Sequence, residues 1–392
     1  MMGYKIFTLS PGSTSTKLAV FDGEEKLFKA NVQHDPVRLK SFARVSEQMP
    51  YRVETILCEL EKKQININDM DAFAAYSGGL VSTPGGIFPV NDKILADCTS
   101  GRLMEHPAIL GAQIIHAFAK ETGKPAFLVN PPDVDEFDDI ARLTGIKGIY
   151  RESHVHVLNQ KEVAMRAARE LGKKYEECNL VVCHVGGGLS ITAQKSGRIV
   201  DANDVLNGEG PMAPNRSGYV PLMPVIKMCY SGAYTLQQMK EKISKTGGLV
   251  SLLGTDNMLE IKERIAKGDS WAALVYDNFA YQLAKYIGSY ACVLEGEVDA
   301  VVMTGGVSND EDFISNVKKY AGWIAPFIVY GGDFEMEALA SGAIRALTGE
   351  EQTKGLDGVP PAFTEELTGC PFEARCPSKT EMCSGFEFEY DE

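Results

Sequence analysis

The chain is short of positive charge. Lys and Arg number 39 against 53 Asp and Glu, giving a net charge of −14 over 392 residues. No basic stripe or arginine-rich run interrupts that balance, which argues against a nucleic-acid partner. An anionic substrate is not excluded, because a site needs only local positive charge. Long apolar runs are missing as well, so no segment reads as a membrane span and no membrane partner is expected. The start, Met1-Met2-Gly3-Tyr4-Lys5, leads into a strand rather than an apolar leader, and the expected location is the cytoplasm. Cysteine is too sparse for a disulfide scaffold, at 9 in the chain. Six are scattered and suit small core positions; three lie together near the C-terminus. There is no Walker loop, no Gly-x-Ser-x-Gly elbow, no serine–histidine–acid order and no zinc-type spacing among the histidines.

What is present is glycine in particular places. Leu180 to Ile191 reads Leu-Val-Val-Cys-His-Val-Gly-Gly-Gly-Leu-Ser-Ile, a strand, a tight turn and a returning strand. Glycine lets backbone N–H groups close on a phosphate where a Cβ would block them. The pattern has an echo: Tyr4 to Leu9 is apolar, Ser10 to Lys17 is the turn, and Leu18 to Phe21 returns. The two turns lie about 175 residues apart, which implies two related halves. The length allows two or three domains at roughly 150 residues each.

The rest alternates strands and helices, an α/β pattern with mixed sheets. Asp71 to Tyr76, Ala126 to Val129, Ala300 to Met303 and Ile324 to Val329 read as buried strands. Pro107 to Phe118, Asn159 to Leu171 and Glu335 to Leu347 read as helices, the last rich in small residues that suit close packing. Val275, Phe279, Leu283 and Ile287 recur at helical spacing. Asn207 to Gly218 is a polar loop. From Gly349 onward prolines, glycines and acids read as an extended tail.

Ser13, Ser15 and Lys17 offer two hydroxyls and a cation in the first turn, a set that can bind terminal phosphates. A polar hairpin with an exposed lysine fits the same residues. Thr304-Gly305-Gly306 ends a strand where a ligand can approach the backbone closely.

Taken in order, several segments resemble the butyrate kinase family, a branch of the acetate kinase group of acyl kinases in the actin-like ATPase superfamily. They are Ser10 to Lys17, Gly78-Gly79, His106 to Ala112, Arg151 to Lys161, His184 to Ser190, Gly208 to Pro211, Arg216 to Gly218, Gly247 to Leu249, Leu253 to Asp256 and Thr304 to Gly306. The resemblance spans about residues 4 to 350. It implies two actin-like, ribonuclease H-like domains over 1–155 and 156–334, a helix over 335–350 returning to the first domain, and a tail over 351–392. It implies ATP and Mg²⁺ in the cleft between the domains, a small carboxylate as acceptor (butyrate or a branched-chain acid), and an acyl phosphate with ADP as products. A homo-oligomer, dimer or larger, is also expected. Under the resemblance Arg216 and His156 stabilise the phosphoryl group, with Asn130 at the third catalytic position. His106 and Ser77 line the acceptor. Ser10, Gly12, Ser13, Ser15, Lys17, His184, Gly186, Gly187, Gly188, Gly305 and Gly306 hold ATP, and Glu335 lies on the Mg²⁺ side.

The chain departs from the family pattern at one end of that site. Ser10 replaces asparagine, Ser77 replaces arginine before Gly-Gly, Asn130 replaces aspartate, and Phe334, between Asp333 and Glu335, takes an acidic position. These departures keep two alternatives open: a nucleotide-binding homologue without turnover, acting as a sensor or assembly partner, and a kinase for a different acid. The tail cysteines Cys370, Cys376 and Cys383 resemble the cysteine-rich end of peptide-transporter ATPase subunits, where zinc or an iron–sulfur cluster is a candidate ligand. Three thiolates are one short of a closed site, and a reduced, extended tail fits them too.

Overall fold

The computed structural model describes residues 3–100 and 106–355. The apolar runs and glycine turns fold into two mixed sheets. The first contains β1 (Lys5–Pro11), β2 (Ser15–Asp22), β3 (Glu25–Gln33), β4 (Ala72–Ala75), β5 (Ile87–Pro89) and β6 (Ala126–Val129), in the order β3-β2-β1-β4-β6-β5. The second contains β7 (Asn179–Val185), β8 (Leu189–Lys195), β9 (Arg198–Ala202), β10 (Ala300–Gly305) and β11 (Phe327–Gly331), in the order β11-β10-β7-β8-β9. In the first sheet β1, β2 and β3 form an antiparallel meander while β4 and β6 run parallel to β1. In the second, β7, β8 and β9 repeat the meander and β10 and β11 repeat the parallel side. The duplicated hairpin is thus part of a duplicated sheet, with β5 added at one edge.

Both sheets are covered on both faces, which explains why central strands such as Leu180 to Val185 are apolar throughout instead of alternating. Helices α1 (Met49–Lys62) and α2 (Leu110–Thr122) set Ile56, Leu60, Ile114 and Phe118 against Phe7, Leu9 and Phe73 of the first sheet. Helix α3 (Val157–Glu170) packs Val163, Ala164 and Ala167 on Leu180, Val182 and Val302 of the second. Helices α4 (Ser270–Val293) and α5 (Glu311–Ala321) cover the opposite face, with Val275, Phe279, Leu283 and Ile287 all buried. Helix α6 (Glu335–Thr348) follows β11 of the second sheet yet packs on the first, where Met336, Leu339 and Ala343 meet Ile6, Phe21, Ala74 and Val129.

Small residues make that return possible. A Cβ on Gly342 would lie 2.5 Å from Val129 Cγ1, well inside contact distance. Some boundaries differ from the sequence expectation. The strand expected from Ile324 starts at Phe327, because the Ile324 N–H closes the end of α5 on Ala321 and Pro326 has no N–H to pair. The helix expected from Pro107 opens with a tight turn over Pro107–Ile109 capped by His106. The edge strand β3 carries little sequence signal, because Val32 is its one buried residue. Among the described residues no helix is long and apolar enough to cross a membrane. The tail cysteines Cys370, Cys376 and Cys383 lie outside the described residues.

Gly342→Ala should lower stability by about 1–3 kcal/mol through overpacking. Urea unfolding should show a lower midpoint at unchanged slope, and Val129→Ala added to it should restore part of the loss.

Candidate active site

The two glycine hairpins stand at corresponding positions, one joining β1 to β2 and the other β7 to β8. In the first, the Gly12 N–H donates to Ser15 O at 2.7 Å; Ser13 is exposed, and Ser10 and Ser15 are partly buried. Lys17, on β2, reaches to the start of α6, where its Nζ lies 3.4 Å from both Asp333 Oδ2 and Glu335 Oε2. Burial opposes the charge on Lys17, but Glu335 and Asp333 outweigh it and raise its pKa. Burial and the neighbouring Asp333 raise the Glu335 carboxyl in turn, against the pull of Lys17.

In the second hairpin the Gly186 N–H donates to Gly188 O at 2.9 Å. The Arg216 guanidinium lies over Gly188, where a Cβ would fall 2.9 Å from its Cζ. Arg216 Nη1 donates to Val205 O at 2.8 Å, while its buried Nε has no partner among the described residues. Burial lowers the Arg216 pKa and Asp204 opposes that shift. Next to it His156 and His184 stack at 4.0 Å between ring centres with planes 13° apart. His156 Nδ1 lies 2.8 Å from Ser190 Oγ.

One amide orients this pair. The Phe334 N–H donates to Asn159 Oδ1 at 2.9 Å, which turns Asn159 Nδ2 toward His184 Nδ1 at 2.7 Å and Thr304 Oγ1 at 3.2 Å. His184 Nδ1 therefore accepts, and its proton is assigned to Nε2 by this network. Nε2 faces the glycine turn, 3.3 Å from where a Gly186 Cβ would be. Burial pushes the His184 pKa down to about 4, with Lys17 adding to the shift and Asp333 opposing it. Burial, His184 and Arg216 together hold His156 well below the usual value. Both rings are neutral near pH 7 and can each donate one N–H.

The remaining expected residues are placed differently. Gly305 is buried at φ +89, with Val185 O 2.4 Å from where its Cβ would be, so that glycine serves close packing of β10 on β7; Gly306 is the exposed one of the two. The Ser77 hydroxyl is engaged by the backbone of the loop before α2 and of α2 itself. It is fully buried, donates to Ala108 O at 2.8 Å and accepts from the Ala112 N–H at 3.0 Å. Asn130 sits at φ +41, which asparagine tolerates, and its Oδ1 accepts from the Gly86 N–H at 2.8 Å. His106 is exposed, with Nδ1 accepting from the Ala108 N–H at 3.2 Å. Gly187 is exposed and Gly188 is buried under Arg216.

Three residues of this region carry no motif signal that singles them out in the sequence. Asn159 stands inside a family-like segment without a role of its own. Asp133 accepts from the Gly79 N–H at 3.2 Å, and its buried Oδ2 has no partner among the described residues. Burial raises the Asp133 pKa to about 7, against the pull of the Leu80 and Gly79 N–H groups. Arg52 packs under the first hairpin. Glu152, His154 and Asp204 also approach one another, but His154 Nδ1 is paired with Asp204 Oδ2 at 2.9 Å and the same carboxylate takes the Leu206 and Asn207 N–H groups.

The duplicated mixed sheets with their corresponding hairpins match the fold of solved acetate and propionate kinases. The acetate kinase of Porphyromonas gingivalis matches with a TM-score of 0.73 at 20% identity, over 88% of this chain and 100% of that one. A propionate kinase from Francisella tularensis matches with a TM-score of 0.66 at 19% identity, over 86% and 98%. The acetate kinase of Entamoeba histolytica gives 0.68 at 14% identity, over 86% and 98%. Residues 143–329, the segment that carries His156, His184, Asn159 and Arg216, match the model of the Acetokinase family.

The stacked histidines set a pH response. A histidine with a lowered folded-state pKa is protonated first in the unfolded chain, so His184 takes stability away as pH falls from 6.5 toward about 4. The imidazole carbon-bound proton signals of His184 should stay flat from pH 8 to about 5 in NMR titration, and those of His156 should titrate below the usual histidine range. His154, raised by its bond to Asp204, should titrate above the usual histidine value.

Proposed function

We propose that this protein is an ATP-dependent carboxylate kinase, transferring the γ-phosphoryl group to a short-chain acid such as butyrate or a branched-chain acid. The observation that carries the reading is Arg216: a partly buried guanidinium on a glycine turn, beside two neutral histidines, with a buried Nε that has no partner among the described residues. An unpaired buried donor of that kind is destabilising unless a ligand completes it, and a planar guanidinium suits a phosphoryl group. The acetokinase-family match over this segment and the acetate kinase fold support the same reading.

On this reading the nucleotide lies in the cleft between segments 1–155 and 156–334, with its phosphates between the two hairpins. Asp333 and Glu335 supply the hard oxygen ligands that Mg²⁺ takes, and their mutual repulsion fits them to a cation. The metal, when bound, neutralises phosphate charge. The acceptor carboxylate is ionised at neutral pH, since carboxylic acids lose their proton at a pH of about 4, so no base is required. One carboxylate oxygen forms the new bond to phosphorus, the bond to the ADP oxygen breaks, and no proton moves. Arg216 and the N–H groups of His156 and His184 meet the negative charge on the transferring oxygens. Lys17 holds the first hairpin close to the acidic pair.

Hydroxylamine trapping with Mg-ATP and a panel of short, branched and hydroxylated acids tests this. The expected result is acyl hydroxamate from at least one short-chain acid, with Arg216→Ala lowering the rate by at least about 10²-fold. ATP binding without acyl phosphate from any acid would sink the kinase reading.

A further inference from the structure

Among the described residues Arg52 heads the fully buried large side chains. It rises from α1 into the underside of the first hairpin. Its Nη1 donates to Gly12 O at 3.0 Å, Thr16 Oγ1 at 3.2 Å and Ser15 O at 3.5 Å. Its Nη2 donates to Ser13 O at 3.4 Å, and Gln48 Oε1 receives Nη2 at 3.0 Å and Nε at 3.2 Å. Among the described residues no carboxylate pairs with it. A buried arginine without an acid is unusual, because removing its charge from water is costly unless something compensates.

Peptide geometry supplies the consequence. In a planar trans peptide the carbonyl of one residue and the N–H of the next point in opposite directions. With Gly12 O and Ser13 O drawn down to Arg52, the N–H groups of Ser13 and Thr14 are turned away from it. Both residues are exposed, and neither N–H has an acceptor among the described residues. Successive free N–H groups of this kind form an anion-binding nest.

Charge acts in the same direction. Lys17 is 47% exposed and already engaged by Asp333 and Glu335. Solvent and these acids screen it. Arg52 is at 0% exposure with no acid, so its field is screened less. Two flanking histidines register that field: burial first and then Arg52 lower both His34, to about 4, and His106.

The geometry points to Arg52 as the positioning residue of the first phosphate site: it holds the hairpin carbonyls inward, presents the Ser13 and Thr14 N–H pair to the terminal phosphate of a nucleoside triphosphate, and leaves a buried positive charge that the phosphate neutralises. This rests on the reading of the cleft as a nucleotide site. It assigns the selectivity for the triphosphate to a residue that need not touch the ligand.

The test compares ATP and AMP binding by calorimetry in wild type, Arg52→Met and Arg52→Lys, each checked for folding by circular dichroism. Arg52→Met should weaken ATP by about 10-fold or more and leave AMP within about twofold, since AMP carries no terminal phosphate to this hairpin. Arg52→Lys keeps the charge but not the fork, and should fall between. Equal losses for ATP and AMP, or an unchanged ATP affinity, overturn the inference. If Arg52→Met does not fold, the wild-type protein decides: backbone N–H signals of Ser13 and Thr14 should move downfield with the β,γ-imido analogue of ATP and not with AMP. Their failure to move overturns it as well. Wild-type protein that binds no adenine nucleotide removes the site reading itself, and the inference with it.

Discussion

The side-chain amide of Asn159 is the group on which the arrangement of the histidine stack depends. Its oxygen takes the N–H of Phe334 just before α6, and its nitrogen serves His184 on β7 and Thr304 on β10. Each partner comes from a different element. Without it His184 Nδ1 loses the donor that fixes its tautomer, and the stack is held only from the His156 side, by Ser190. A buried amide with both ends engaged is stiff, and a half-satisfied one is costly. The packing of α3 on the second sheet is what brings Asn159 to that point.

Much of the fold is legible in the sequence because its signals are local. Glycine after an apolar β-branched run marks both hairpins, and the four-residue recurrence from Val275 to Ile287 marks α4. The small residues of α6 announce a close contact, though not that Val129 is the partner. The site is legible only where a residue type and a turn occur together, as at Ser13, Lys17, His184 and Arg216. Arg52 is not, because an arginine among Tyr51, Val53 and Glu54 looks like any exposed helix position. Its burial follows from the hairpin it supports, roughly 40 residues earlier in the chain. Asp133 is hidden for the same reason: its environment is the loop after β4.

The acceptor end shows how a substitution can change meaning with context. Ser77 reads as the loss of a cation from an open site, yet its hydroxyl is a joint between the loop after β4 and the start of α2. Gly111 packs against it, with a Cβ there falling 2.9 Å from Ser77 Cβ, so an arginine has little room at this position. Asn130 likewise holds the Gly86 loop in a left-handed turn. The ionisable group beside this loop is Asp133, which accepts from the Gly79 N–H and whose carboxyl burial pushes up to about 7.

The two helices that meet at Asn159 begin side by side, α3 after His156 and α6 after Phe334. An α-helix carries about half a positive charge at its N-terminus, so two such ends converge on the histidine stack. The protein as a whole is acidic, at −14, and would repel a polyphosphate at long range. Backbone dipoles create attraction at short range without adding a single basic side chain. Such dipoles have no counterion cloud to displace and no flexible side chain to order. The local field at the histidine stack is thereby insulated from the surface charge, which is free to drift as solubility requires.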